Sequence, residues 1–212
     1  MGGAEAERRE RRPRHDPKET EREILEAAES LLRERPFREV TIPEVMRRAG
    51  LTRPAFYAHF KDRSDLLLRV VAHIGALLFE MADRWLDGDE PLSDIRSALD
   101  GVADVYIVHG PVLRALADAA PTDAVIEEAY RGLAQAFIDA TSEHVAAEQA
   151  TGRIRATIDA EEISRALVWG NERYMSETLG RVPQADPRQV AKTLSQIWLA
   201  TLYGELGGVP AG

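Results

Sequence analysis

The chain has 212 residues, of which 44% are hydrophobic and 30% charged, and its formal net charge is −9. That length suits one or two domains with a sizeable core. The absence of cysteine removes disulfides, thiolate metal sites and cysteine nucleophiles, and no apolar run of about 18 residues offers a membrane span. The opening run MGGAEAERRERRPRH is arginine-rich and lacks the apolar segment of a signal peptide, so a cytoplasmic location is expected.

Charge is unevenly distributed. Residues 1–69 carry 16 Lys and Arg against 14 Asp and Glu, a net of +2, whereas residues 70–212 carry 11 against 22, a net of −11. A net of −9 argues against a simple nucleic-acid binder, but the basic excess at the front suits an electrostatically distinct N-terminal module. The arginines at 8, 9, 11, 12 and 14 form either an inert solvated tail or an arm that follows a phosphate backbone or enters a minor groove.

In chain order the signals are helical throughout, with no convincing strand. Asp16-Pro17-Lys18-Glu19 starts a first helix, with an N-cap acid, proline at N1 and glutamate at N3, and Ile24, Leu25, Ala28, Leu31 and Leu32 follow at helical spacing. Thr41-Ile42-Pro43-Glu44 starts a second helix that Gly50 stops. Thr52 caps a short third, and Asp62 with Asp65 caps a fourth that runs to about Trp85. A fifth helical face carries Ile95, Leu99, Val102, Val105 and Tyr106. His109-Gly110-Pro111 then predicts a break, followed by a short helix to about Ala119. Pro121 is expected to open a long helix to about Gln149, Asp159 with Glu162 another ending at Gly180, and Asp186-Pro187 the last. The total is about nine helices in an all-α chain, without internal repeats or a sustained heptad.

The second and third helices meet at Gly50-Leu51. Two short helices crossing steeply at such a turn make a helix-turn-helix, whose second helix enters the major groove N-terminal end first. The stretch GLTRPAFYAHFKDRSDLL at 50–67 then divides. Leu51, Phe56 and Phe60 should point into the core against the first helix. Tyr57 and His59 should project away from it, with Lys61 just past the helix end, offering a hydroxyl, a ring N–H and an ammonium to phosphate oxygens. Thr52, Arg53 and Ala55 lead the helix; Arg53 could reach a guanine edge, and Ala55 or the Thr52 methyl a thymine methyl.

The run T-I-P-E-V-M-R-R-A-G-L-T-R-P-A-F-Y-A-H-F-K-D-R-S-D-L-L closely resembles the DNA-binding domain of TetR-family transcriptional regulators, over about residues 20–70. The resemblance implies an all-α homodimer that binds palindromic double-stranded DNA and is released by a small ligand held in its C-terminal domain. It implies phosphate contacts at Tyr57, His59 and Lys61 and base-facing positions at Thr52, Arg53, Pro54 and Ala55; Thr41, at the head of the second helix, is counted with the DNA-facing set. W-G-N-E-R-Y-M-S-E-T-L-G at 169–180 and I-W-L-A-T-L-Y-G at 197–204 are similar to the closing helices of the EthR subgroup. That similarity implies that Asn171 and Trp198 border an elongated, largely apolar tunnel for an uncharged lipophilic compound. Val102, Tyr106, Ile126, Leu133 and Phe137, with Ile95, are the upstream candidates for its wall, and Gly170 is a small residue whose enlargement should fill it.

The implied organisation is a disordered basic arm at 1–15, a helix-turn-helix domain at 16–62, a ligand-binding and dimerisation domain at 63–206 and a flexible tail at 207–212. The last two helices are expected to pair with those of a second copy. Glu172 and Arg173 read as members of structural ion pairs. No cofactor or metal is expected: glycine-rich phosphate loops and a nucleophile elbow are missing, and His73, His109 and His144 lack metal-ligand spacing. Two readings compete. A regulator without a small ligand would use the second domain for dimerisation alone. An all-α enzyme working through bundle carboxylates would leave residues 41–61 unexplained.

Overall fold

The computed structural model of the chain describes residues 16–204, and the basic arm and the C-terminal tail lie outside them. The described residues form eight α-helices: α1 (Pro17–Glu34), α2 (Ile42–Arg48), α3 (Arg53–His59), α4 (Arg63–Leu86), α5 (Pro91–Ala119), α6 (Ala124–Ala150), α7 (Ala160–Thr178) and α8 (Pro187–Tyr203). None of these helices is long and apolar enough to cross a membrane.

Local chemistry sets the N-terminal elements. Asp16 accepts a hydrogen bond from the Lys18 amide at 3.1 Å, and Pro17 pre-forms the first turn of α1. The turn between α2 and α3 depends on Gly50, whose φ of +69° is the left-handed conformation that closes a helix C-terminus; the next amide, Leu51, donates to the Met46 carbonyl at 2.9 Å. Ile24 and Leu31 of α1, Val45 and Met46 of α2, and Phe56 with the adjoining Phe60 bury together as the core of this three-helix unit.

The expected break at His109-Gly110-Pro111 is absent, which reduces the count from nine to eight. Helix α5 runs through Pro111, and the physical reason lies in its neighbours. Proline has no amide hydrogen, so the Ile107 carbonyl four residues earlier loses its helical partner. The Gln184 side-chain amide donates to that carbonyl instead, at 2.9 Å. Gly110 lets the backbone of α5 pass Leu179 and Gly180, because a Cβ there would meet Gly180 Cα at 3.0 Å. The start of α6 also shifts. Pro121 lies in a 3₁₀ turn, Ala120–Thr122, and Asp123 is the cap, accepting from the Val125 and Ile126 amides.

Helix α4 leaves the three-helix unit and packs along α5; α5 packs on α8, and α6 on α7. Helix α1 touches both α4 and α5. On the α5 side, Glu29 takes Arg33 of its own helix and His109 Nδ1, each at 2.5 Å, while Arg33 Nε donates to the Val108 carbonyl at 3.2 Å. His109 is thus a polar link between α1 and α5.

Candidate nucleic-acid interface and ligand cavity

Along α3 the periodicity sorts the side chains. Phe56 is 0% exposed, and Tyr57, whose ring meets Phe56 edge-on at 5.3 Å, is 51% exposed. Thr52, Arg53 and Pro54 are exposed at the leading end, with Ala55 half-buried behind them. Arg53 Nη2 donates to the Tyr57 hydroxyl at 3.2 Å, and its guanidinium lies 5.7 Å from the ring centroid. The two side chains expected to face bases and phosphates are therefore held together on one exposed face.

Lys61 is exposed. Its backbone amide donates to Asp65 at 2.9 Å, and its ammonium pairs with no acid among the described residues. Thr41 is exposed at the N-cap of α2, where its hydroxyl donates to Glu44 at 2.6 Å and its amide to the same carboxylate at 3.2 Å. His59 departs from the expectation of full projection. Its side chain is only 14% exposed, with Nδ1 3.9 Å from Glu21 of α1. The short α3 ends at His59, and this ring lies toward Glu21 of α1 instead of standing clear with Tyr57.

Arg63 adds a contact that local sequence does not announce. Its guanidinium donates to the carbonyls of Phe37, Arg38 and Val40 at 3.1 to 3.3 Å and lies 4.4 Å from the Phe37 ring centroid. It fastens the first residue of α4 to the loop that leads into α2. An arginine inside a capping sequence gives no signal of this in one dimension.

The second site is a cavity of about 130 Å³ between α4, α5, α6, α7 and α8. Val102, Tyr106, Leu133, Phe137, Asn171 and Trp198 line it, as does Ile95. Two expected residues do not. Ile126 is buried in the closed core. Gly170 is exposed, with nothing within 4 Å of the Cβ it would bear. The α7 residues in the wall are Val168, Asn171, Glu172 and Met175, a stripe at helical spacing, and Gly170 falls on its reverse.

Trp198 Nε1 donates to Asn171 Oδ1 at 3.0 Å. That bond uses one lone pair of the amide oxygen, and the amide NH₂ is the donor Asn171 can offer an occupant. Trp85, also missed, brings a second indole, edge-on to Trp198 at 5.3 Å; its signal was the apolar stripe Leu78, Ala82, Trp85, Leu86. Phe137 stacks on Phe79 at 3.9 Å.

Glu172 corrects another expectation. Arg173 does pair with Glu177, at 3.1 Å, but Glu172 forms no ion pair among the described residues and faces the cavity. Burial pushes its carboxyl above the ordinary range, opposed by the neighbouring Tyr130 hydroxyl and by Arg173. Burial also raises the phenols of Tyr106 and Tyr130, and the nearby Glu172 adds to both shifts. A mostly apolar wall thus contains one amide and one acid, with the hydroxyl-bearing Tyr106, Tyr130 and Thr141.

Two family models match successive parts of the chain. Residues 24–70 match the bacterial regulatory proteins of the tetR family, and residues 95–204 match the C-terminal domain of the transcriptional regulator EthR. The HTH-type transcriptional regulator EthR of Mycolicibacterium smegmatis is 31% identical over 206 residues, covering 94% of this chain and 92% of that one. This chain is a member of the TetR family of transcriptional regulators. The EthR of Mycobacterium tuberculosis is 30% identical over 203 residues, covering 93% of each chain. Among solved structures, SmeT, the repressor of a Stenotrophomonas maltophilia multidrug efflux pump, shares the fold with a TM-score of 0.72 at 19% identity, over 92% of this chain and 98% of that one. NalD of Pseudomonas aeruginosa does so with a TM-score of 0.67 at 21% identity, over 88% and 96%. As a TetR-family helix-turn-helix regulator the chain binds DNA, and its relatives carry the names of regulators, not of enzymes.

Proposed function

We propose that the chain is a repressor that binds a two-fold symmetric operator as a homodimer and is released by an elongated lipophilic small molecule. The observation that carries this reading is the position of the cavity. Its wall includes Leu78, Ala82 and Trp85 of α4, and the other end of α4 begins two residues beyond Lys61. One rigid helix joins the ligand wall to the DNA-facing end.

Volume supports release by displacement. About 130 Å³ falls below the roughly 300–1,000 Å³ of a drug-sized site. A cavity of about 150 Å³ holds one benzene ring. An elongated occupant therefore has to move the Phe79–Phe137 stack or the helices that carry it. Densely packed cores respond by shifting elements and not by compressing, so the displacement reaches α4. The ligand weakens DNA binding only to the extent that it prefers the displaced arrangement.

Pairing through α7 and α8 has its own support. Ile197 on α8 is 49% exposed and Tyr174 on α7 39%, while the bare Gly170 leaves the same exterior open to close approach. Such a dimer would carry two α3 helices about 34–36 Å apart, one turn of DNA. On the DNA side Tyr57 and Lys61 would meet phosphates and Arg53 a base edge. The test is selection of bound fragments from a genomic pool, followed by titration of the selected duplex with C8 to C16 lipophilic compounds. Binding of one dimer per duplex that compounds reverse is the expected result. Compounds that occupy the cavity without changing duplex affinity would leave a DNA-binding regulator with no ligand response.

A further inference from the structure

We infer that Glu172 makes the cavity a site for lipophilic amines, with the ammonium at the carboxylate and the chain among the aromatic and aliphatic walls. This rests on the proposal that the cavity is the ligand site, and it narrows the class of compound.

The first observation is that Glu172 lines the cavity yet has no cationic partner within ion-pair distance among the described residues. Elsewhere on the same helix the acids are taken. Arg165 pairs with Glu161 at 2.5 Å, and Arg181 and Arg173 pair with Glu177 at 2.6 and 3.1 Å. An acid left without a cation in a desolvated wall is costly when ionised, and a ligand that supplies the cation removes that cost. The raised carboxyl is the sign of it.

The second observation is the company Glu172 keeps. Tyr106 and Tyr130 stand beside it, and Trp85, Trp198 and Phe137 continue the wall. Aromatic faces attract a cation as well as an alkyl chain. The Asn171 oxygen already accepts from Trp198, and the Glu172 carboxylate, which the Tyr130 hydroxyl meets with one hydrogen bond, keeps acceptor capacity and is the strongest acceptor open to an occupant.

The experiment uses the full chain and a matched set: octylamine, 1-octanol and N-octylacetamide, titrated by calorimetry below micelle-forming concentrations. Wild type should bind octylamine about tenfold more tightly than 1-octanol, the order expected of a hydrogen bond to a charged group. In Glu172→Gln the ratio of the two affinities should fall to about one, since the pair loses its charge. An amine no tighter than the alcohol in wild type overturns the inference while leaving the cavity as the ligand site. A preference that persists in Glu172→Gln overturns it too and assigns the amine to the acidic exterior. If none of the three compounds binds, the cavity reading fails and this one with it. Should Glu172→Gln not fold, wild type decides alone: octylamine must exceed N-octylacetamide, which has the chain without the charge, and equality rejects the role of Glu172.

Discussion

The Ser64 hydroxyl donates to Asp123 Oδ2 at 2.8 Å, joining the first turn of α4 to the N-cap of α6. Asp123 Oδ1 accepts from the Val125 and Ile126 amides at 3.1 and 3.3 Å. Ser64 first, with those amides, holds the Asp123 carboxyl below its ordinary range. The pair bridges the helix that follows α3 and the helix that brings Tyr130, Leu133 and Phe137 to the cavity. Ser64→Ala should leave the α6 cap intact, because the other oxygen remains engaged. It should reduce the ligand-induced change in operator affinity by about 2- to 10-fold, since one hydrogen bond contributes about 0.5–1.5 kcal/mol. The measurement is the ratio of duplex Kd with and without saturating compound; an unchanged ratio removes Ser64 from the coupling.

The two faces of α3 make opposite predictions. Phe56→Ala empties a fully buried site and should destabilise the protein by about 3–5 kcal/mol. Tyr57→Phe should leave the melting temperature in place while weakening binding to every duplex, because it removes the hydroxyl that also accepts from Arg53. Lys61→Ala should weaken binding in the same uniform way and lower the salt slope by about one. A large melting loss from Tyr57→Phe, with none from Phe56→Ala, would invert the assignment of faces.

The parts of this molecule legible in sequence were those written in local chemistry. Asp16-Pro17, Thr41-Ile42-Pro43-Glu44 and Gly50 each act through neighbours within a few residues, and each sits where its local signal put it. The alternation of Phe56 and Tyr57 followed from helical spacing in the same way. What was not legible required a partner distant in the chain. Pro111 read as a break because nothing near it announces that Gln184 will satisfy Ile107. Arg63 gave no sign of its three carbonyl partners. Gly170 and Asn171 are adjacent, and only the direction in which α7 faces α6 and α8 puts one in the wall and the other outside.

Glu172 also predicts a dependence of stability on pH. Its carboxyl is raised above the ordinary value of 4.5, so the folded chain holds this proton more tightly than the unfolded chain does. Below the ordinary value the group is protonated in both states and costs nothing. As pH rises through the ordinary value toward the raised one, stability is lost, and the loss persists at neutral pH. The groups beside it are Tyr106 on α5 and Tyr130 on α6, and the more distant charges of Arg173 and Glu177 on α7 act on it as well. Glu172→Gln leaves all four in place and should raise the melting temperature at neutral pH, with the gain shrinking to nothing under acid conditions below the ordinary value. A gain that grows on acidification would mean that the carboxylate is stabilised in the fold.

The last prediction concerns filling the cavity. Ala134 on α6 is buried and lines it, while Gly170 faces away, so the two positions separate filling of the proposed ligand site from damage to the proposed dimer face. Ala134→Leu places three more carbon atoms in a space of about 130 Å³. Where the void cannot take them the cost is about 1–3 kcal/mol, drawn from movement of the surrounding helices. On the proposed mechanism that movement mimics a bound compound, so Ala134→Leu should lower operator affinity without touching DNA and weaken compound binding by tenfold or more, on the order expected when an added group occupies the site. Gly170→Leu should leave compound affinity alone. On the exterior of α7, beside Tyr174, it should instead weaken self-association, read by sedimentation. If Gly170→Leu blocks the compound and Ala134→Leu does not, the compound sits outside this cavity, and the path through α4 has no occupant to drive it.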